Sequence, residues 1–156
     1  MTATPSETNL HIWRSRTIDA FASIEIRIEG LLSKIDRSGK CDRLGAKIEA
    51  LRKTSPQGPY SAARKAAVDK VLEQISKLLP LRNDLVHSPM LVRKDAGKSV
   101  AVFSNPNALC DFSTVTREFE APRLQALACK ASHLAKELDK AIAIKAELPT
   151  EATENA

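Results

Sequence analysis

Aromatic side chains are scarce in this chain, since Phe, Trp and Tyr together make up 4% of its 156 residues. Proteins that hold single-stranded nucleic acid often stack bases on such rings, so a stacking groove is not expected. No apolar run approaches the roughly 18 residues that cross a bilayer, and the polar start MTATPSETNLHIWRSR has no apolar signal core. These absences predict a cytoplasmic protein with no membrane contact.

Cysteine is also sparse and carries no metal-binding pattern. Cys41, Cys110 and Cys129 are widely spaced, with no C-x-x-C pair and no histidine at zinc-finger spacing. We expect all three to be reduced, buried and structural. The chain also has no Gly-rich phosphate loop, no catalytic serine elbow and no metal-spaced carboxylate cluster, so no metal and no cofactor are predicted.

What the chain does have is a localised positive charge. The net charge is +5, and nine basic residues against three acidic ones lie between Lys34 and Lys65, which leaves the remainder close to neutral. A field of this kind attracts polyanions such as RNA, or else belongs to a solvated face that keeps the protein soluble. The candidates for RNA contact are Lys34, Arg37, Lys40, Arg43 and Lys47.

Apolar residues recur at spacings of three and four in four stretches, which predicts four amphipathic helices. These helices span about residues 8–37, 42–53, 61–88 and 122–145. Ser61 is the expected N-cap of the third helix, Pro80 is expected to kink or split it, and Pro89 to end it.

Alternating valines after the third helix predict two short strands around the turn at residues 95–98, and TVTREFE is compatible with a third strand. The predicted fold is mainly α, a four-helix up-down bundle with a small β-hairpin insertion between helices 3 and 4. We expect one domain over residues 8–147, with flexible tails at 1–7 and 148–156.

An arginine lies on the apolar stripe of the third helix. The stripe passes through Ile75, Leu78 and Leu79 and reaches position 82 before Leu85. Arg82 is therefore predicted at a core or interface position. A buried unpaired charge is costly there, so the side chain must pair, reach water, or face an anionic ligand or a second protein.

Two further polar residues accompany Arg82. Asn83 and His87 are four residues apart and share a helical face, while Arg82 lies about 140° round from His87, a gap that an arginine side chain spans. Cleavage of RNA by its own 2′-hydroxyl needs a base and an acid near neutral pH, and a cation at the phosphorane. Because one histidine does not easily serve both sides of an in-line displacement, a homodimer with the site across its axis is predicted.

The same residues have a simpler interpretation. Arg82 pairs with Glu73 or another carboxylate, Asn83 is a surface residue, and His87 caps the helix through the dipole. The protein is then a non-catalytic helical dimerisation or interaction module. Elsewhere, His11 and Trp13 are expected to anchor the first helix, and His133 to be a packing or surface residue.

The string RNDLVH, on the later part of an all-α domain, resembles the HEPN (higher eukaryote and prokaryote nucleotide-binding) superfamily. The resemblance implies catalytic roles for Arg82, Asn83 and His87 in a dimeric helical bundle. In active members it implies a metal-independent endoribonuclease of toxin–antitoxin, anti-phage or RNA-processing systems, with a protein antitoxin or regulatory partner. The function predicted for this chain is therefore that of a HEPN-like RNA-cleaving or RNA-binding homodimer. Ser88 and Pro89 stand where a small glycine often follows the histidine. The absence of a tyrosine two residues after His87 argues against the toxin subgroup whose tyrosine is nucleotidylated.

Overall fold

The computed structural model describes residues 5–35, 42–105 and 115–145. This part of the chain is mainly helical, with four helices and one small antiparallel sheet. The elements are α1 (Pro5–Lys34), α2 (Leu44–Lys53), α3 (Ala62–His87), β1 (Met90–Asp95), β2 (Lys98–Asn105), β3 (Val115–Glu120) and α4 (Ala121–Ile142). Four helices were predicted in these regions, but α1 begins at Pro5 and so includes three residues of the predicted tail at 1–7.

The two long helices at the ends of the chain form the centre of the core. α1 makes its most extensive helix contacts with α4. The apolar face of α1 includes Ile24 and Ile28, and that of α4 includes Leu124 and Leu138, all of them fully buried. Each such side chain stabilises the fold by about 1.5–3 kcal/mol relative to an exposed position. Because buried positions are therefore apolar, the spacing of apolar residues in the sequence predicts where these helices lie.

α3 starts and ends at the residues that its sequence predicts. The Oγ of Ser61 accepts a hydrogen bond from the backbone N–H of Arg64 at 3.2 Å, and Ser88 is extended, at φ −109° and ψ 140°, just before Pro89. Pro80 does not split the helix, which runs unbroken through it. Pro80 itself is exposed, and burial of apolar residues on either side offsets the cost of a helical proline.

The sheet is a three-stranded antiparallel meander in the order β1-β2-β3, so it has one strand more than a hairpin. The turn between β1 and β2 is made by Ala96 and Gly97, both with positive φ, as in the tight hairpin turns that match the twist of paired strands. Phe103 of β2 and Phe119 of β3 are buried and pack edge to face with ring centroids 5.8 Å apart. These rings join the sheet to the helical core.

No helix in the three described ranges is both long enough and apolar enough to cross a membrane.

Candidate functional site

The last turn of α3 separates its residues onto two faces. Asn83 and His87 are exposed, and their spacing of four residues places them on the same side of the helix. Asp84, Leu85 and Ser88 are buried, with at most 4% of each residue exposed. One short segment therefore presents polar groups to solvent and at the same time directs others into the protein.

The exposed face of this turn borders a cavity of about 740 Å³. Arg82, Asn83 and His87 all line it, so the structure brings together the three residues that the sequence predicts as a site. Arg43, just before α2, and Glu25 from the middle of α1 also line the cavity. With Asp42 and Asn105, which also line it, the wall combines two guanidinium groups, an imidazole, two amides and two carboxylates.

Arg82 is neither fully buried nor alone, since its side chain is 20% exposed. Its Nη1 donates to the Oδ1 of Asn83 at 3.2 Å, and its Nη2 lies 3.8 Å from the Oε2 of Glu25. The carboxylate beside Arg82 is therefore Glu25 and not Glu73, which pairs with Lys77 instead. Within the described ranges the Nε of Arg82 is buried without a hydrogen-bond partner.

Lys47 differs from Lys34 and Arg43, the other predicted RNA contacts among the described residues, because it is only 8% exposed. Its Nζ donates to the Oε1 of Glu25 at 2.7 Å and also to the Oε1 of Glu29. The hydrogen bonds to Glu25 and then to Glu29 raise the pKa of Lys47, against the opposing effect of burial. Two of the three N–H donors of this ammonium group are used by carboxylates, and its side chain is 10% exposed, which weighs against the predicted RNA contact.

The remaining predicted RNA contacts divide by position. Lys34 in the last turn of α1 and Arg43 at the cavity are both exposed. Arg37 and Lys40 lie outside the described residues. Lys65, the last cation of the basic stretch, is used internally, because its Nζ donates to Asp69 at 2.7 Å and to a backbone carbonyl at 2.9 Å.

The buried face of the turn holds residues whose role the sequence pattern does not predict. The carboxylate of Asp84 accepts a hydrogen bond from the Nδ2 of Asn105 at 2.9 Å and another from the Nε of Arg117. Asn105 ends β2 and also lines the cavity, so it connects the inner face with the site. The sequence signal that could have identified Asp84 is the position of a carboxylate beside the apolar stripe, one residue after Asn83.

A second unexpected residue, Arg14 of α1, binds the backbone at the end of α3. Its Nε and Nη2 donate to the carbonyl of Leu85 at 3.1 and 2.8 Å, and its Nη2 also donates to the carbonyl of Ser88 at 3.1 Å. Arg14, and not His87, therefore binds these terminal carbonyls. No sequence signal links Arg14 to residues more than 70 positions away.

The other residues singled out from the sequence lie away from the cavity. His11 and His133 are exposed, and Trp13 packs against the core with the guanidinium of Arg16 4.8 Å from its ring centroid. Cys129 is a free thiol but is exposed, so the expectation that it is buried was wrong. Cys41 and Cys110 lie outside the described residues.

Among the side chains that the structure describes, no group of three or more His, Cys, Asp or Glu residues is arranged to hold a metal ion. No family model, curated protein or solved structure matches the chain.

Proposed function

We propose that this protein is a metal-independent, HEPN-like endoribonuclease that acts as a homodimer. The observation that carries the proposal is the convergence of Arg82, Asn83 and His87 on one wall of a single cavity. A guanidinium beside an accessible imidazole offers charge stabilisation and proton transfer together. Arg43 adds a second cation on the same cavity, where it would attract the phosphate backbone.

The reaction that suits these groups is transesterification within the RNA. A base removes the proton from a 2′-hydroxyl, its oxygen bonds to the adjacent phosphorus, and the bond from phosphorus to the 5′-oxygen breaks. An acid protonates that leaving oxygen, so the products are a 2′,3′-cyclic phosphate and a 5′-hydroxyl. His87 would perform one proton transfer and Arg82 would stabilise the charge on the phosphorane.

The homodimer belongs to the proposal because one copy supplies a single histidine to the cavity. A two-fold axis beside the end of α3 would bring the second His87 to the opposite side of the scissile bond. In the same proposal the four helices form an up-down bundle, supported by the packing of α4 against both α1 and α3. Sedimentation should show a species near twice 17.0 kDa.

A non-catalytic dimerisation or interaction module is the second candidate, and one observation favours it. Arg82 already has Asn83 and Glu25 beside it, so its charge is partly balanced without a substrate. In that case the residues of the cavity wall would contact a protein surface, such as a second copy or a regulatory partner. The two candidates differ in whether RNA is broken.

Incubation of the purified protein with RNA in EDTA tests the proposal. We expect fragments with cyclic-phosphate ends, and we expect His87→Ala to abolish cleavage while RNA binding persists. His133→Ala is the matched control, because it removes another exposed helical histidine away from the cavity. Intact RNA at stoichiometric protein, or full cleavage by a folded His87→Ala variant, would remove the catalytic assignment.

A further inference from the structure

Pro89 removes one hydrogen-bond donor from the end of α3. In a continuing helix the carbonyl of Leu85 would accept from the backbone N–H of residue 89, but proline has no N–H. The last helical bond of this kind runs from the N–H of Ser88 to the carbonyl of Asp84, at 3.1 Å. The carbonyl of Leu85 therefore needs a donor from elsewhere in the protein.

Arg14 supplies that donor with a guanidinium fork. Two of its N–H groups converge on the carbonyl of Leu85, and one of them also reaches the carbonyl of Ser88. These two carbonyls lie on either side of His87 in the sequence. The guanidinium is thus fastened to the backbone before and after the histidine, which a single ammonium group would do less well.

The guanidinium of Arg14 is itself held in place from the sheet. Its central carbon lies 5.6 Å from the ring centroid of Phe103, which is fully buried. A cation over an aromatic face is attracted by the ring, and here the ring belongs to a rigid part of the core. The contact fixes where the fork can point and joins three elements, α1, β2 and α3, at one place.

We propose that Arg14 is a positioning residue for His87. The effect of Arg14 on catalysis rests on the proposed function, whereas its effect on the position of the His87 imidazole does not. Arg14 stops the last turn of α3 from fraying, so the imidazole keeps one position relative to Arg82 on the cavity wall. Proton transfer tolerates little displacement, since an error of about 1 Å can cost a reaction up to about a hundredfold.

Arg14→Lys tests the proposal in the full-length protein, because lysine keeps the charge and loses the fork. The matched control is Arg27→Lys, on the same helix. Arg27 also uses a fork, with its Nε and Nη2 2.7 and 2.8 Å from the two carboxylate oxygens of Asp139, away from the cavity. A general effect of weakening an α1 arginine would appear in both variants.

We expect Arg14→Lys to lower kcat about tenfold while KM stays within twofold, because RNA binding uses other residues. In NMR spectra the imidazole signals of His87 should shift and broaden, with those of His133 on α4 unchanged. Exchange of the Ser88 amide should rise about tenfold, the scale expected for losing a charge-assisted hydrogen bond. Arg27→Lys should match the wild type in all these measurements.

A rescue experiment separates positioning from general damage. Pro89→Ala removes the ring that disfavours helical geometry at Ser88 and restores a backbone N–H, so α3 can lengthen by one residue and that N–H can bond to the carbonyl of Leu85. In the Arg14→Lys background it should return the His87 signals and the Ser88 exchange rate towards wild type. Loss that comes from unrelated unfolding would not respond to this substitution.

The outcomes distinguish the two proposals. If the wild type leaves RNA intact, the proposed function fails and the NMR measurements alone decide the role of Arg14. Wild-type His87 signals and Ser88 exchange in Arg14→Lys would overturn the positioning role in either case. An unchanged kcat for Arg14→Lys in an active protein would also overturn it.

Discussion

On the inner face of the last turn of α3, Asp84 is bound by Asn105 and Arg117, and the whole residue is 4% exposed. On the outer face, Asn83 and His87 are open to solvent at the cavity. These faces belong to the same few residues of one helix. The carboxylate of the inner face is hydrogen-bonded within the protein, whereas the outer face leaves its polar groups accessible.

The difference shows how a polar segment can serve both folding and chemistry. A buried carboxylate with an amide and a guanidinium beside it has little capacity for a new ligand, and losing a partner is expensive. An exposed imidazole costs little to leave unpaired and can take up or release a proton. We infer that the inner face fixes the turn and the outer face carries the proposed reaction.

The largest expected effect comes from breaking the inner face. Arg117→Met should lower the free energy of unfolding by about 2–3 kcal/mol, because the buried Asp84 carboxylate loses its cationic partner. The value lies below that of a fully enclosed pair, since the Arg117 side chain is 37% exposed and water can approach. Urea denaturation followed by circular dichroism measures the change.

The double variant Asp84→Leu with Arg117→Met sharpens that test. It removes both charges, so its cost should be smaller than the sum of the two single substitutions. A loss below about 0.5 kcal/mol for Arg117→Met alone would show that the inner face is no more stabilising than an ordinary surface pair.

The start of α3 extends the comparison, because it too has buried polar atoms that lack a hydrogen-bond partner among the described residues, as the Nε of Arg82 and the Oγ of Ser88 do at the end of this helix. Within the described ranges, the phenol oxygen of Tyr60 and the Oδ1 of Asp69 are buried with no hydrogen-bond partner. Burial first, and the charge of Asp69 second, raise the pKa of Tyr60 to about 12. The folded protein therefore favours the neutral phenol.

This raised pKa predicts a loss of stability in alkali. The contribution of the neutral phenol is fully present below about pH 10, the ordinary tyrosine value, and is lost as pH rises through the folded value of about 12. By pH 12 the wild type should have lost about 2 kcal/mol more than Tyr60→Phe, which has no phenol to ionise. Both proteins keep Lys47, so their difference isolates the tyrosine.

The chain offers a direct measurement because Tyr60 is its single tyrosine. Tyrosinate absorbance after a rapid pH jump should give a midpoint well above 10 for the folded protein. A midpoint near 10 would mean that water or another donor reaches the phenol, and burial would then not govern the ionisation of Tyr60.

A third, smaller effect compares two basic residues of the predicted RNA surface. Arg43 is exposed at the cavity, whereas Lys47 is held by Glu25 and Glu29. Arg43→Gln should weaken RNA binding about fivefold and reduce the dependence of log K on log salt by about 0.7, as for one lost phosphate contact. Lys47→Met should leave the affinity within twofold. Equal losses would show that the ion pairs of Lys47 open when RNA binds.

The outer face was predictable from sequence because its geometry is local. The spacing of Asn83 and His87 on a helix places them together whatever the rest of the fold does. The inner face was not predictable, since the partners of Asp84 are 21 and 33 residues away and Arg14 is 71 residues from Leu85. Such pairings depend on how the elements pack, and a helical wheel contains no information about packing.

The charge of the basic stretch between Lys34 and Lys65 was also hard to predict, because it depends on how the elements pack. Counting residues between Lys34 and Lys65 gave a positive surface, yet Lys47 and Lys65 are bound to carboxylates within the fold. Glu25 lies outside the counted stretch, and only the packing of α1 against α2 brings it to Lys47. A local sum of charges therefore overestimates the field that RNA would meet.

The smallest expected effect comes from breaking an exposed ion pair between an arginine and a glutamate on the sheet. This pair serves as the reference for Arg117→Met. Arg93 of β1 and Glu118 of β3 are 3.0 Å apart, but their side chains are 52% and 47% exposed. Both charges are well hydrated when the pair is broken, and salt screens their attraction. Arg93→Met should therefore change the free energy of unfolding by less than about 0.5 kcal/mol in the same urea assay. If Arg93→Met instead lowered the free energy of unfolding as much as Arg117→Met, burial of Asp84 would not explain the cost of losing Arg117. Loss of any arginine from the sheet would then have the same effect on stability.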